Sequence, residues 1–138
     1  MDIVYNYLRP TIKEVNNLRE KVNWGRIEES IIERSFDNTI LFICGYCNNE
    51  LIGMARILGD RSMYLYIHDV MVDPKYQRNK IGTSIMGKLL ENIEEFKNIN
   101  PDIRVYLGAT KGKEHFYEKF GFIVRPNEDL GAGMILKE

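Results

Sequence analysis

The chain has 138 residues, 44% apolar and 28% charged, with a formal net charge of -1. That length buries a core without disulfides or a structural metal, and the balanced charge argues against a nucleic-acid binder with a broad basic surface. No apolar run approaches the ~20 residues of a membrane span, and "MDIVYNYLRP" lacks the basic and apolar regions of a leader. A cytoplasmic protein with one domain over residues 1–138 is therefore expected.

In chain order, "IVYNYL" (3–8) reads as a first strand. After Pro10, Ile12, Val15, Leu18 and Val22 recur at helical spacing, with Thr11 and Glu14 set for a capping box. "NWG" breaks this pattern, and "RIEESIIERSF" (26–36) predicts a second, shorter helix. "TILFICGYC" and "ELIGMARILG" flank Asn48-Asn49, and asparagine tolerates the positive φ of a tight hairpin turn. "SMYLYIHDVMVD" (62–73) predicts a further strand. Ile81, Ile85, Leu89, Ile93 and Phe96 form one stripe of a long helix. "IRVYLGA" (103–109) is another strand, and "KGKEHFYEKF" (111–120) a short helix closed by Gly121. "FIVRP" and "GMILK" predict two final strands. The expected class is mixed α/β in the order β-α-α-β-β-β-α-β-α-β-β. One right-handed parallel crossover interrupts an otherwise antiparallel sheet.

Cys44 and Cys47 have C-x-x-C spacing but lie at the end of a strand, not at the helix start that would activate a thiol. Two small buried strand residues are the better reading. His68 and His115 lack ligand spacing to them, so no metal is expected.

"DPKYQRNKIGTSIMGKLL" (73–90) crowds Lys75, Arg78 and Lys80 at the entrance of a helix. The helix dipole already makes that end positive, so the pattern suits an anionic ligand. Gly82 allows close backbone approach, and Thr83 and Ser84 add hydroxyls. Gln77, Arg78, Asn79 and Lys80 supply further donors or charge. The Walker and G-x-G-x-x-G patterns are both absent. Basic residues scattered over a capped surface helix are the plain alternative.

"VMVDPKYQRNKIGTSIM" resembles the acetyl-coenzyme A signature V-x-V-x-P-x-[YW]-[QR]-x-x-G-x-[GA] of the GCN5-related N-acetyltransferase (GNAT) superfamily, through Val70, Val72, Pro74, Tyr76, Gln77 and Gly82. It departs at the first glycine, where Lys80 stands. "EHFYEKFGF" (114–122) is similar to a later segment of the same family. "NWG" and "PNEDLGAGM" look like its small-molecule branch.

The resemblance implies an acyl-CoA N-acyltransferase fold. It also implies acetyl transfer from acetyl-coenzyme A to a primary amine of a small molecule, by direct attack in a ternary complex and without a metal. On this resemblance the coenzyme is held by Val70, Met71, Val72, Gln77, Arg78, Asn79, Lys80, Ile81, Gly82, Thr83, Ser84, Phe116 and Tyr117. Tyr117 is the general acid. Asp69 is first choice as base and His68 second, with strand alternation placing His68 on the face of Val70 and Val72, and Asp69 on that of Met71. Trp24, Tyr64 and Tyr66 are candidates to line the acceptor site. No nucleic acid or membrane partner is expected, and a homodimer is open because relatives often dimerise. Competing readings are a non-catalytic acyl-coenzyme A sensor and an acetyltransferase acting on a protein or peptide amine.

Overall fold

The computed structural model describes residues 2–137. Its elements are β1 (Val4–Asn6), α1 (Ile12–Lys21), α2 (Glu29–Asp37), β2 (Leu41–Cys47), β3 (Glu50–Gly59), β4 (Tyr64–Val72), a 3-10 turn (Pro74–Tyr76), α3 (Ile81–Lys97), β5 (Arg104–Leu107) and α4 (Glu114–Glu118). The chain divides into two compact units, one through Tyr106 and one from Leu107 onward.

In the first unit, local signals set most boundaries. Thr11 Oγ1 accepts from the Glu14 N–H at 3.1 Å, and Glu14 Oε1 accepts from the Thr11 N–H at 2.9 Å, closing the capping box. Helix α2 begins later than residue 26 for a physical reason. The buried Asn16 amide donates to the Ile27 carbonyl and accepts from the Ile27 N–H, both at 2.9 Å. With both backbone groups engaged, Ile27 stays outside the helix. Asn48 and Asn49 take φ of 50° and 62°, the left-handed pair that a two-residue hairpin turn requires.

The sheet runs β1-β2-β3-β4-β5, with β1 to β4 antiparallel. β5 enters through the α3 crossover. The Arg104 N–H donates to the Met63 carbonyl at 3.0 Å, and the Tyr106 ring lies 6.3 Å from both Tyr64 and Tyr66. The two chains thus advance together, as a parallel pair does, and the sheet is mixed. One face packs against α1 and α2 through Val15, Leu18, Ile32, Phe36, Phe42, Met54 and Met71. The other receives α3, whose Ile81, Ile85, Leu89 and Ile93 are buried. A Cβ on Gly53 would stand 2.9 Å from Ile85 Cδ1 and 3.1 Å from Ile81 Cγ2, so glycine lets α3 pack closely on β3 there without displacing these side chains.

In the second unit, α4 is a single short turn of helix followed by Gly121 at φ 95°. Phe116, Tyr117, Phe120 and Phe122 form an aromatic cluster, with ring centroids between 5.1 and 6.3 Å apart. The two strands expected over 122–126 and 133–137 do not form. A strand exists only by pairing, and among the described residues no backbone hydrogen bond joins either segment to a neighbouring strand. Met134, Ile135 and Leu136 are almost fully exposed.

Candidate active site

The loop between β4 and α3 is built on Asp73. Its N–H donates to the Ile52 carbonyl at 2.7 Å, its Oδ1 accepts from the Lys75 N–H at 3.0 Å, and Lys21 pairs with its Oδ2 at 3.3 Å. Sequence reading passed over this residue, although an aspartate before proline is a turn signal. Arg78 and Lys80 then take φ of 75° and 58°. Lys80 thus adopts the left-handed conformation that the family pattern assigns to glycine, which costs a non-glycine residue about 1–2 kcal/mol.

Helix α3 opens directly after Lys80, with no side-chain cap and no acidic residue in its first turn. The first bond back along the helix is from the Ser84 N–H to the Lys80 carbonyl at 3.0 Å. The N–H groups of Ile81, Gly82 and Thr83 therefore have no partner within the helix. Lys75, Arg78 and Lys80 are exposed, and none forms an ion pair among the described residues. The expected residues Gln77, Arg78, Asn79, Lys80, Ile81, Gly82, Thr83 and Ser84 are thus contiguous around one helix start. Asn79 is partly spent inside the loop, donating to the Tyr76 carbonyl at 3.0 Å. Free N–H groups beside uncompensated cations suit an anionic ligand.

One strand upstream, β4 carries a bulge. Met54 stands opposite Met71 and Arg56 opposite His68, so β4 holds one residue more than β3 across this interval. Asp69 takes φ 54° there. The extra residue breaks the alternation expected of a regular strand. His68 lies opposite Arg56, and Asp69 Oδ2 accepts from Arg56 Nε at 2.6 Å, so both lie on the α1/α2 side of the sheet, with Met71. Val72 pairs with Gly53, on the α3 side. The expected sharing of a face by His68 and Val72 is therefore corrected, as is the opposition of His68 and Asp69.

Arg56 was not foreseen, because its partner lies thirteen positions away across a hairpin. Its Nη1 donates to Ser35 Oγ and Thr39 Oγ1, both at 2.9 Å, and its guanidinium lies 5.1 Å from the Phe36 ring centre. Arg56 therefore ties the bulge to α2 and to the start of β2. The Asp69 carboxylate is engaged by this guanidinium. The His68 ring instead has no hydrogen bond among the described residues and stacks on Tyr66, at 4.5 Å and 19° between planes. Partial burial pushes the His68 imidazole below its usual value; the Asp69 charge opposes this, and the Arg56 charge adds to it. Its neutral form, with a free nitrogen to accept a proton, therefore persists to lower pH than an open histidine's.

Tyr64, Tyr66 and Tyr106 continue the stack across β4 and β5, half-exposed and outward. Tyr106 was missed because only the crossover brings it beside Tyr64 and Tyr66. β5 ends at Leu107, after running beside the first half of β4. No strand on that side accompanies Val70, Met71 and Val72 among the described residues. Trp24, in the α1–α2 loop, is half-exposed, with the Arg19 guanidinium 5.6 Å from its ring centre. Arg19 also donates to the Trp24 and Gly25 carbonyls, fixing the loop.

In the second unit, Phe116 and Tyr117 occupy α4, with ring centres 5.1 Å apart. Burial pushes the Tyr117 phenol up, so it stays protonated and able to donate. Cys44 and Cys47 are buried free thiols, and burial pushes Cys44 up to about 12, far from a thiolate nucleophile. Among the described residues no three histidine, cysteine, aspartate or glutamate side chains gather to hold a metal ion.

The model of the acetyltransferase (GNAT) domain matches residues 11–136. An uncharacterised N-acetyltransferase, ycf52-like, from Prochlorococcus marinus is 30% identical over 117 residues, covering 82% of this chain and 63% of that protein. Protein ElaA of Escherichia coli is 39% identical over 83 residues, covering 59% of this chain and 52% of that one. The chain thus spans between half and two thirds of the length of these relatives. Among solved structures, SA2161 of meticillin-resistant Staphylococcus aureus superposes with a TM-score of 0.86 at 28% identity, covering 99% of this chain and all of that one. A GNAT-family acetyltransferase of Streptococcus pneumoniae, SP0256, gives 0.81 at 22% identity, a likeness of fold. With a family model covering nearly its whole length, this chain belongs to the GNAT acetyltransferase family.

Proposed function

We propose that this chain transfers an acetyl group from acetyl-coenzyme A to the primary amine of a small molecule. The start of α3 carries the reading: three unpaired cations surround a helix entrance whose first N–H groups are free. An anion-binding loop on a GNAT domain is best explained by the diphosphate of the acyl donor. Lys80 supplies a charge where the family pattern has none, without loss of the loop's left-handed backbone.

The chain's own groups divide the work. Ile81, Gly82 and Thr83 present N–H donors to the phosphates, and Lys75, Arg78 and Lys80 neutralise them. Beyond the bulge, the edge of β4 from Val70 to Val72 offers backbone groups to the amides of the donor and a polarising N–H to the carbonyl. An alkyl amine is mostly protonated near neutral pH. We assign removal of that proton to His68, directly or through water, since its nitrogens are free while the Asp69 carboxylate is engaged by Arg56. The amine nitrogen then bonds to the carbonyl carbon, and the carbon–sulfur bond breaks. Tyr117, by its place in the second motif, returns a proton to the departing thiolate. Asp69 holds the bulge that presents His68, and Tyr64, Tyr66 and Trp24 line the approach of the acceptor.

The test is thiol release from acetyl-coenzyme A over a panel of aralkylamines, polyamines, amino sugars and peptides. Turnover with a small primary amine is expected. Release only with peptides would replace the acceptor class, and tight coenzyme binding without release in any mixture would make the protein a sensor.

A further inference from the structure

Between the end of β4 and the start of α3 the chain carries a single acidic residue, Asp73, amid Lys75, Arg78 and Lys80. None of those three cations pairs with it among the described residues. Its side chain retains 7% of its surface, and the cation beside it is Lys21, the last residue of α1. Lys21 Nζ stands 3.3 Å from Asp73 Oδ2 and also pairs with Glu50 at the β2–β3 hairpin. A carboxylate so far removed from water requires a counter-charge, and Lys21 supplies it from outside the loop. The Glu50 hydrogen bond raises the Lys21 pKa, burial opposes it, and the Asp73 contact adds to the rise, so the ammonium stays charged.

Asp73 sets the path of the chain that follows. Its N–H donates to the Ile52 carbonyl at 2.7 Å, and its Oδ1 accepts from the Lys75 N–H at 3.0 Å. From there each turn is built on the one before. The Tyr76 N–H donates to the Asp73 carbonyl at 2.8 Å, Gln77 to Pro74 at 3.3 Å, and Asn79 to Tyr76 at 3.3 Å. Arg78 and Lys80 stand at positive φ along this path, a conformation that persists only where surrounding contacts over-determine it. Lys21 itself is shared between two carboxylates, so it is not among the cations left free for a phosphate.

We propose that Lys21 is a positioning residue for the acyl donor. By neutralising Asp73 it holds the turn at residues 73–76, and through that turn the arrangement in which Lys75, Arg78, Lys80 and the N–H groups of α3 meet a diphosphate. This rests on the reading of that loop as the coenzyme site.

Calorimetry of the whole chain with acetyl-coenzyme A, and with pantetheine, which lacks the diphosphate, tests it. The wild-type protein should bind acetyl-coenzyme A about a hundredfold more tightly than pantetheine. Lys21→Met should lose about tenfold in affinity for acetyl-coenzyme A, about 1.4 kcal/mol, and none for pantetheine. Lys21→Arg, which keeps the charge, should regain most of the loss. Equal weakening of both ligands would mean general damage to the fold and overturns the proposal. Glu50→Gln leaves the Asp73 pair in place and should bind within about twofold of wild type. Loss of a nearby charge alone would make Glu50→Gln tighter by as much as Lys21→Met is weaker, and that symmetry overturns the proposal. In Lys21→Met the amides of Lys75, Tyr76, Gln77 and Asn79 should exchange hydrogen about tenfold faster, with those of Ile85 and Leu89 unchanged. A wild-type preference near one removes the coenzyme reading and the proposal with it, whereas a preference of about a hundredfold that Lys21→Met keeps overturns the proposal alone. Should Lys21→Met fail to fold, wild-type exchange decides: an unprotected Lys75 amide means that the Asp73 carboxylate holds no turn, and a protected one supports the proposal.

Discussion

Replacing Arg56 with methionine tests whether the β4 bulge is held from outside the strand. Arg56 is 9% exposed, and the Asp69 side chain retains 17% of its surface. Removing one partner of a buried ion pair costs about 3–5 kcal/mol, because the other charge is left uncompensated. The residual exposure of Asp69 admits some water and moves the cost toward the lower figure. Loss of the bonds to Ser35 Oγ and Thr39 Oγ1 adds about 1 kcal/mol each at most, since hydroxyls can rotate to other partners. Methionine recovers about 1 kcal/mol of packing over Phe36. The net expectation is about 3 kcal/mol, a large share of the ~5–15 kcal/mol of a whole domain. Urea unfolding, followed by circular dichroism and by the single tryptophan, Trp24, measures it. Combining Arg56→Met with Asp69→Asn removes the stranded charge and should recover about 1–2 kcal/mol, a coupling that a double-mutant cycle reads directly. A loss below about 1 kcal/mol for Arg56→Met, with no coupling to Asp69, would refute this account of the bulge.

Three further outcomes concern the chemistry. His68→Ala should lower turnover about 10²-fold and remove the acidic limb of the pH–rate profile; an unchanged limb would take the base role from His68. Because burial lowers the His68 pKa on folding, the native state binds its proton less readily than the unfolded chain. The stability it contributes is therefore present above about pH 6.5 and falls as pH drops through its folded value, which urea midpoints at several pH values will show. Tyr117→Phe should cut kcat about 10²-fold with coenzyme affinity unchanged, and equal turnover would remove it as proton donor. Gly82→Val should weaken coenzyme binding at least tenfold, about 1.4 kcal/mol, by crowding the first turn of α3; normal affinity would show that the phosphates do not approach that backbone.

The legible parts of this structure are those written within one element. The Asn48–Asn49 hairpin, the Thr11–Glu14 box and the α3 stripe each rest on spacing within a few residues, and each is present. The basic helix start was legible for the same reason. The bulge was not, since one inserted residue shows only when β4 is set against β3, and with it went the true facing of His68 and Asp69. Arg56 and Tyr106 join the site through pairing across strands, which no local pattern records. Lys80 departs from the glycine of the family pattern, yet its backbone stands at φ 58°. At the C-terminal side, "GMILK" has strand composition, but composition cannot supply the neighbour that a strand requires.

Calorimetric titration with acetyl-coenzyme A, beside a fragment lacking the diphosphate, tests the central claim most directly: that the start of α3 holds the acyl donor through its pyrophosphate. The account predicts binding near micromolar, about −8 kcal/mol, falling at least a hundredfold for the fragment and weakening with added salt. Equal affinity for the two ligands, or no heat at millimolar coenzyme, would contradict it.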